Sequence, residues 1–263
     1  MIDTGLKLVF ANQWLVVGIV SALLLGLAEF GYRLGIRLHA KSDEPRKSQI
    51  GGVQGAMLGM LGLLLGFTFA MAVNRYEARR NLVLQEANAI GTTYRRASFL
   101  PEVHKAAVEK LLRDYVEARL DLNSAGTNVK LRELAESKAA QIHSDLWAHA
   151  TATGKETPTP LVNGFVVSLN ETIDLAASRA NALRAHVPGA VWLLVLVVAS
   201  CGCCVSGYHA GASGARGAFT TIVLPFLVAI MITLIADLDR PYHGLINISQ
   251  QPLIDLQRSM QAN

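Results

Sequence analysis

The chain has 263 residues, of which 51% are hydrophobic and only 17% charged, and its formal net charge is +4. This composition and a positive mean hydropathy exclude an ordinary soluble domain and favour a membrane protein. The apolar residues are concentrated towards both ends of the chain, while a charged, mixed middle runs from about Arg75 to Val187. We therefore expect two environments within one chain.

Four apolar stretches are long enough to cross a hydrocarbon core, which takes roughly 20 residues of helix. They cover residues 14–34, 50–73, 187–208 and 218–236. The sequence therefore predicts four parts: an N-terminal tail with transmembrane helices 1 and 2 (1–74), a helical extramembrane domain (75–186), transmembrane helices 3 and 4 (187–236) and a C-terminal tail (237–263).

The first predicted span contains one carboxylate, Glu29. An ionisable residue inside a span is costly and marks a functional site unless a partner offsets its charge. Arg33 lies one helical turn further on, and a Glu–Arg pair near the membrane edge needs no function. A signal peptide is an alternative interpretation of this stretch, because residues 26–28 resemble a cleavage site, but the apolar run continues past them.

The second span carries small residues at regular spacing, namely Gly55, Gly59, Gly62 and Gly66. Glycines at such intervals let two transmembrane helices pack closely. A face of nearly bare backbone would also suit a narrow conduit, if several subunits arranged this helix around an axis. The sequence leaves both interpretations open.

Nothing breaks the second helix after Val73, so we expect it to leave the membrane and continue to about Ser98. One stripe of this extension is polar and consists of Asn81, Gln85, Asn88, Thr92 and Arg95. The opposite stripe is apolar, offset by roughly 200°, and consists of Val83, Ala87, Ile90, Tyr94 and Ala97. At about 100° per residue the polar stripe continues the glycine face, with Asn74 between them. This suits either a conduit or a solvated outer surface.

Arginines outnumber glutamates between Arg75 and Arg96, so the extension is basic. A basic vestibule would concentrate anions, but the same charges would also suit lipid headgroups. Lysines and arginines near the membrane are divided almost evenly between its two sides, so charge does not fix the orientation.

Three further helices are predicted in the middle domain, at residues 101–122, 128–150 and 160–186. Pro101 and Pro160 suit first helical turns, and Thr159 is a suitable cap. Short polar breaks are expected at residues 123–126 and 153–157. Apolar faces are predicted for the last two helices, by Leu131, Leu134, Ala135, Ile142 and Leu146 in one and by Leu161, Phe165, Leu169, Ile173 and Ala176 in the other. No strand-like alternation of useful length is present, so the predicted fold class is all-α.

The segment in which the second helix leaves the membrane carries a family resemblance. Residues 74–80, Asn-Arg-Tyr-Glu-Ala-Arg-Arg, with Asn88, Thr92 and Arg95 beyond, look like the corresponding segment of the bestrophins. The whole chain also resembles the bacterial bestrophin-like family, whose last span ends in a pattern similar to Asp237-Leu238-Asp239-Arg240-Pro241 with Gly244 beyond. The chain lacks the acidic run that forms the bestrophin calcium clasp.

The resemblance implies a pentameric channel for anions such as chloride, with a helical cytosolic domain inserted between the second and third of four spans. It implies a multi-pass protein of the bacterial inner membrane, with termini and helical domain in the cytoplasm. Membrane lipid, small ions and further copies of the chain are the implied partners. The candidate lining residues are then Gly59, Gly62, Leu63, Gly66, Phe67, Phe69, Ala70, Asn74, Asn81, Gln85, Asn88, Thr92 and Arg95, with Leu63, Phe67 and Phe69 as candidates for a constriction.

The terminal pattern allows two interpretations. Asp237, Asp239 and Arg240 lie just outside the last span, where Pro241 ends the helix. They form either an intersubunit ion-pair network or a helix stop with solvated charges.

Other function classes are weighed against the channel. A non-conducting oligomeric scaffold or sensor, whose helical domain docks a partner, would have an occluded axis. A transporter normally needs broken helices or ionisable residues at mid-membrane, and only Glu29 hints at that. For an enzyme, Asp145 and His149 are one turn apart, but a third metal ligand and a recognisable signature are absent. We expect no enzymatic activity, cofactor, metal or nucleic-acid partner.

Overall fold

The structure, a computed structural model, describes residues 13–38, 44–214, 217, 219–240 and 246–262, and within them it contains helices and turns but no strand. This confirms the all-α fold class. The chain divides into two compact units, one formed by Met1–Asn74 and His186–Arg240 and the other by Arg75–Ala185 and Pro241–Asn263.

The first unit contains the apolar helices. They are α1 (Gln13–Leu38), the first part of α2 (Glu44–Arg96), α6 (Gly189–Ala212) and α7 (Leu224–Asp239), the last preceded by a π-helical turn at Phe219–Val223. The described chain has four helices that are long and apolar enough to cross a membrane, which confirms the predicted number of spans. Gly214, two residues after α6, has a φ of +73°, a conformation that glycine adopts readily where helices end.

The closest helix packing in this unit joins α1 to α6. A Cβ on Gly207 would overlap the carbonyl oxygen of Ala28, and one on Gly31 would overlap the carbonyl oxygen of Cys204. Gly35 and Gly211 lie one turn further along the same contact and are equally crowded. These glycines let the two backbones approach closely, as small residues do in membrane helix pairs. The close packing of α1 against α6 was not predicted from the sequence, because only the glycines of the second span were considered.

The second unit contains the remainder of α2, which is one continuous helix as far as Arg96, as predicted. A 3₁₀ turn at Ala97–Phe99 follows it. The other helices of this unit are α3 (Glu102–Ser124), α4 (Val129–Glu156), α5 (Pro160–Arg184) and α8 (Gln251–Gln261). Thr159 caps α5 by accepting a hydrogen bond from the Val162 N–H at 3.2 Å, which confirms the predicted cap.

Two details of the predicted helices are wrong. The break expected at residues 153–157 begins later, because α4 continues to Glu156 and the buried Thr153 hydroxyl donates to the His149 carbonyl within the helix. Leu131, Leu134 and Leu161 are exposed, so the apolar faces of α4 and α5 are covered only beyond their first turns.

The core of the second unit lies against the apolar stripe of α2. Val83, Ala87, Ile90 and Ala97 are buried and Tyr94 is partly buried, which confirms the predicted stripe. Residues from every other helix of the unit complete the core, among them Leu112, Leu146, Phe165 and Leu253. Leu253 belongs to α8, a helix that the sequence analysis did not predict within the C-terminal tail. Each such fully buried leucine stabilises the fold by about 1.5–3 kcal/mol.

Candidate functional site

The glycines of α2 have no close neighbour within the described chain. A Cβ placed on Gly55, Gly59, Gly62 or Gly66 would meet no described atom within 4 Å, and all four residues are exposed. The same construction at Gly207 or Gly31 produces severe overlap. Packing against another helix of the same subunit therefore does not explain the glycine face of α2.

The other candidates in the membrane part of α2 also face outwards. Leu63 is 60% exposed and Phe67 is 65% exposed, while Ala70 and Asn74 are exposed and Phe69 is half-buried. The opposite side of the helix packs into the first unit through Leu61, Leu65, Thr68 and Ala72, which are all buried. This part of α2 thus has one packed face and one open face.

The polar stripe in the second unit is likewise at the surface. Asn81, Gln85, Asn88 and Arg95 are exposed, and Thr92 is half-buried. The side chains of Asn81, Gln85 and Asn88 make no hydrogen bond to other described residues, so their amide groups are available to solvent or to a ligand. The structure therefore brings every candidate of this stripe to one open side of α2, opposite the core.

A group of buried charges lies behind this stripe. Glu86 is completely buried, and its Oε1 atom lies 2.7 Å from Nε of Arg119. Nη1 of Arg179 donates to its Oε2 atom at 2.7 Å, and the Tyr115 hydroxyl donates to Oε1 at 3.1 Å. Sequence reasoning missed this group. A glutamate on the core side of an amphipathic helix was the available signal.

These contacts shift the pKa values of the groups involved. Burial alone would raise the pKa of Glu86, but Arg119 and Arg179 outweigh it, so the pKa lies below its usual value. Burial and the nearby Glu86 charge raise the pKa of Tyr115. His143, whose ring stacks at 4.6 Å from that of Tyr115, has its pKa lowered by burial and by Arg119. At neutral pH Glu86 is therefore ionised and His143 is neutral.

A second buried guanidinium on α2 belongs to Arg79, which is 2% exposed. Its Nε atom donates to the Ala182 carbonyl at 3.1 Å and its Nη2 atom donates to the Ala185 carbonyl at 2.6 Å. These carbonyls lie at the C-terminal end of α5, where unpaired carbonyls and the helix dipole favour a cation. Arg79 therefore fixes the end of α5 against α2.

The terminal motif lies at the end of α7. Asp237 and Asp239 are both buried, so their carboxylates are not solvated. Asp239 accepts hydrogen bonds from the Val187 N–H at 3.0 and 3.2 Å, and its Oδ2 atom lies 3.6 Å from Nδ1 of His186. It thereby fixes the residues that precede α6. Pro241 and Gly244 of the motif lie outside the described residues, and the intersubunit ion-pair network stays a prediction.

The structure also describes two other side-chain pairs that were considered from the sequence. Nε of Arg33 lies 2.8 Å from Oε1 of Glu29, which confirms the local ion pair. Asp145 accepts a hydrogen bond from Gln141 and does not pair with His149, whose Nδ1 lies 3.0 Å from that of His104. Throughout the part of the chain that the structure describes, no group of three or more His, Cys, Asp or Glu residues could hold a metal ion.

Comparison with known proteins gives one family and one group of similar structures. A family profile described as Bestrophin-like domain matches residues 19–253. A bacterial bestrophin homologue from Klebsiella pneumoniae is 14% identical and superposes with a TM-score of 0.66 over 95% of this chain and 98% of that chain. A mutated bestrophin homologue from the same organism is 15% identical, with a TM-score of 0.67 and 97% of each chain covered. No curated protein sequence matches significantly.

Proposed function

The chain belongs to the bestrophin-like family, and from this premise we propose that it is an oligomeric ion channel that conducts anions. The conduit is lined by the open face of α2, from the glycines of its membrane part to the polar stripe of its extension. The observation that carries the proposal is that this face is exposed in both parts while the opposite face is packed.

The chemistry of the face suits ion passage. In the membrane part, Gly59, Gly62 and Gly66 have no side chains that would narrow the conduit. Leu63 and Phe67 provide an apolar constriction that gates by excluding water. Beyond the membrane, Asn81 and Gln85 offer amide dipoles that can replace part of an ion's hydration shell. Both amide N–H groups and carbonyls are present there, so these residues solvate an ion without selecting its charge.

Selectivity for anions is assigned to the basic residues of the extension. Arg95 is exposed on the polar stripe and Arg80 is exposed close by, whereas Glu86, one of the acidic residues of this segment, is buried and paired. A conduit with cationic walls concentrates anions such as chloride by its electrostatic potential. Arg79 of the same segment is buried as well, so burial removes one charge of each sign and the charge that faces outward stays positive.

A conduit of this kind needs several subunits. One α2 helix supplies only one wall, and closed cyclic assemblies present the same face of each subunit to a common axis. A pentamer is the number that the bestrophin resemblance implies, and from the same resemblance we infer that the termini and the second unit lie in the cytoplasm of the bacterial cell. Membrane lipid covers the remaining apolar surface of the four spans.

Ion flux through purified protein in liposomes tests this proposal. Chloride and potassium gradients are compared for the wild type and for Asn81→Leu and Gln85→Leu, with Asn163→Leu on the exposed side of α5 as a matched control. We expect chloride flux that the first two substitutions reduce and the control leaves unchanged. Absence of flux from a folded oligomer, across a range of pH and calcium, would instead favour the non-conducting scaffold or sensor.

A further inference from the structure

A groove lies on the surface of the first unit, between α1, α6 and α7. It has a volume of about 310 Å³. Residues of all three spans form its walls, among them Val20, Leu196 and Ile232, and Asp239 and Arg240 contribute charged groups where α7 ends. The charged groups thus lie at one end of the groove, and the walls that run into the membrane from there are apolar.

The groove is concave, unlike the apolar surface around it. Leu196 is half-buried and Ile232 is buried, whereas Leu193 is 65% exposed and Phe226 is 46% exposed. Apolar atoms that border an empty space lose dispersion contacts on that side. An apolar group that fills the groove is therefore favoured over an empty groove.

The groove is too narrow for another helix. It follows α7 from Ile232 to Asp239, which is roughly 10 Å of helical rise. Spread over that length, its volume of 310 Å³ corresponds to a width of about 6 Å, roughly half the diameter of an α-helix with its side chains. A single hydrocarbon chain is this narrow. One leaflet of the hydrocarbon core is roughly 15 Å deep, so the groove stays within the leaflet at its charged end.

The charged end of the groove lies where the headgroup of a lipid would lie. Asp239 is held there by the Val187 N–H, which donates to its Oδ1 atom at 3.0 Å. Trp192 lies in the first turn of α6, shortly after Val187, and also lines the groove. Tryptophan is enriched where the membrane meets water. The change from charged to apolar along the groove therefore matches that of a lipid in this leaflet.

We propose that this groove binds one acyl chain of a membrane phospholipid, with the headgroup at the level of Arg240. The bound chain joins α1, α6 and α7 at one end of the spans, while the glycine contact of Gly31 and Gly207 joins α1 and α6 towards the other end. The site requires that the four spans lie in a membrane, but it does not depend on ion conduction. A failed flux experiment would leave it standing, and a missing lipid would leave the channel proposal standing.

Native mass spectrometry of the purified full-length protein tests the site. Phosphatidylglycerol is added to the protein in detergent, and the lipids that remain bound are counted. Ala236→Phe fills the groove, whereas Ile230→Phe changes an exposed position of the same helix outside it. We expect the wild type and Ile230→Phe to retain equal numbers of lipids, and Ala236→Phe to retain one fewer per subunit. A folded Ala236→Phe variant with an unchanged number would overturn the proposal, and so would a wild type that retains none.

The structure of the wild-type protein in phospholipid nanodiscs, at a resolution that shows side chains, decides the case in which Ala236→Phe does not fold. Continuous tubular density between Val20, Leu196 and Ile232 that ends near Arg240 is the expected result. Side chains of a neighbouring subunit in the groove, or an empty groove, would contradict the proposal.

Discussion

Glu86 and Arg179 are 93 positions apart in the chain, yet Nη1 of the arginine donates to Oε2 of the glutamate at 2.7 Å. Glu86 immediately follows Gln85, one of the candidate lining residues, and only Glu86 of the two is buried. The ion pair ties the core side of α2 to α5 and so fixes the rotation of α2 about its own axis. That rotation decides which side chains of the extension face outward.

Replacing Glu86 with glutamine tests the importance of this pair for stability. The substitution leaves Arg119 and Arg179 buried without their counter-charge, and breaking a buried ion pair in this way costs about 3–5 kcal/mol. We expect a large fall in the melting temperature of the purified protein. Gln85→Ala is the matched control, because surface substitutions usually change stability by less than about 0.5 kcal/mol. Equal melting temperatures for the two variants would show that the pair is not essential.

Two glycine substitutions distinguish a glycine that is needed for helix packing from one that lines the proposed conduit. Gly207→Ala places a methyl group on the Ala28 carbonyl, whereas Gly62→Ala meets no described atom within 4 Å. Size-exclusion chromatography should therefore show loss of folded protein for Gly207→Ala and a normal profile for Gly62→Ala. The Gly62 variant is expected to reduce ion flux by narrowing the conduit. A misfolded Gly62→Ala protein would indicate that this face packs tightly between subunits.

His143 should make the second unit sensitive to mild acid. Its pKa in the folded protein is below the ordinary value of 6.5, so the unfolded chain takes up the proton first as the pH falls. The stability contributed by the neutral imidazole is complete above about pH 6.5 and is lost as the pH falls through that value towards the folded pKa. The lowered pKa of Glu86 acts in a separate, more acidic window, below its ordinary 4.5.

Melting temperatures measured between pH 7.5 and pH 5.5 test the role of His143. The wild type should lose stability over this range, and His143→Gln should lose less of it because it has no proton to accept. His149→Gln, a substitution at another histidine of the same helix, serves as a comparison for general acid effects. Parallel pH profiles for the wild type and His143→Gln would count against this explanation.

The Thr159 cap offers a local test of the fold. Its side chain accepts a hydrogen bond from the Val162 N–H, and replacing such a cap with alanine costs about 0.5–2 kcal/mol. Thr157→Ala, at an exposed position two residues earlier, should have little effect. Chemical or thermal unfolding of both variants measures the difference. No difference between them would mean that the start of α5 is held by other contacts.

Local patterns in the sequence were sufficient for most helices. The four spans follow from the lengths of apolar stretches, and the long α2 follows from the absence of any breaker after Val73. The two stripes of its extension depend only on helical periodicity, which is why Val83 and Ile90 are buried while Asn81 and Asn88 are exposed. The continuation of α4 beyond Thr153 was not predicted, because a glycine among polar residues is typical of a loop.

Features that depend on residues distant in the chain could not be predicted from local sequence patterns. The glycines of α2 and those of α1 and α6 have similar spacing, but only Gly31, Gly35, Gly207 and Gly211 pack against another backbone. Spacing shows that a close approach is possible and does not name the partner. The buried arginines that pair with Glu86 come from α3 and α5, so no local pattern links them to α2.

The most direct test of the central claim is the reversal potential of purified protein in a planar bilayer under asymmetric potassium chloride. If the open face of α2 lines an anion conduit, the reversal potential lies close to the chloride equilibrium potential, and Arg95→Glu shifts it towards that of potassium. The predicted shift is absent in Arg132→Glu, a substitution on α4 away from the face. A reversal potential near that of potassium in the wild type, or one that Arg95→Glu leaves unchanged, would contradict the claim.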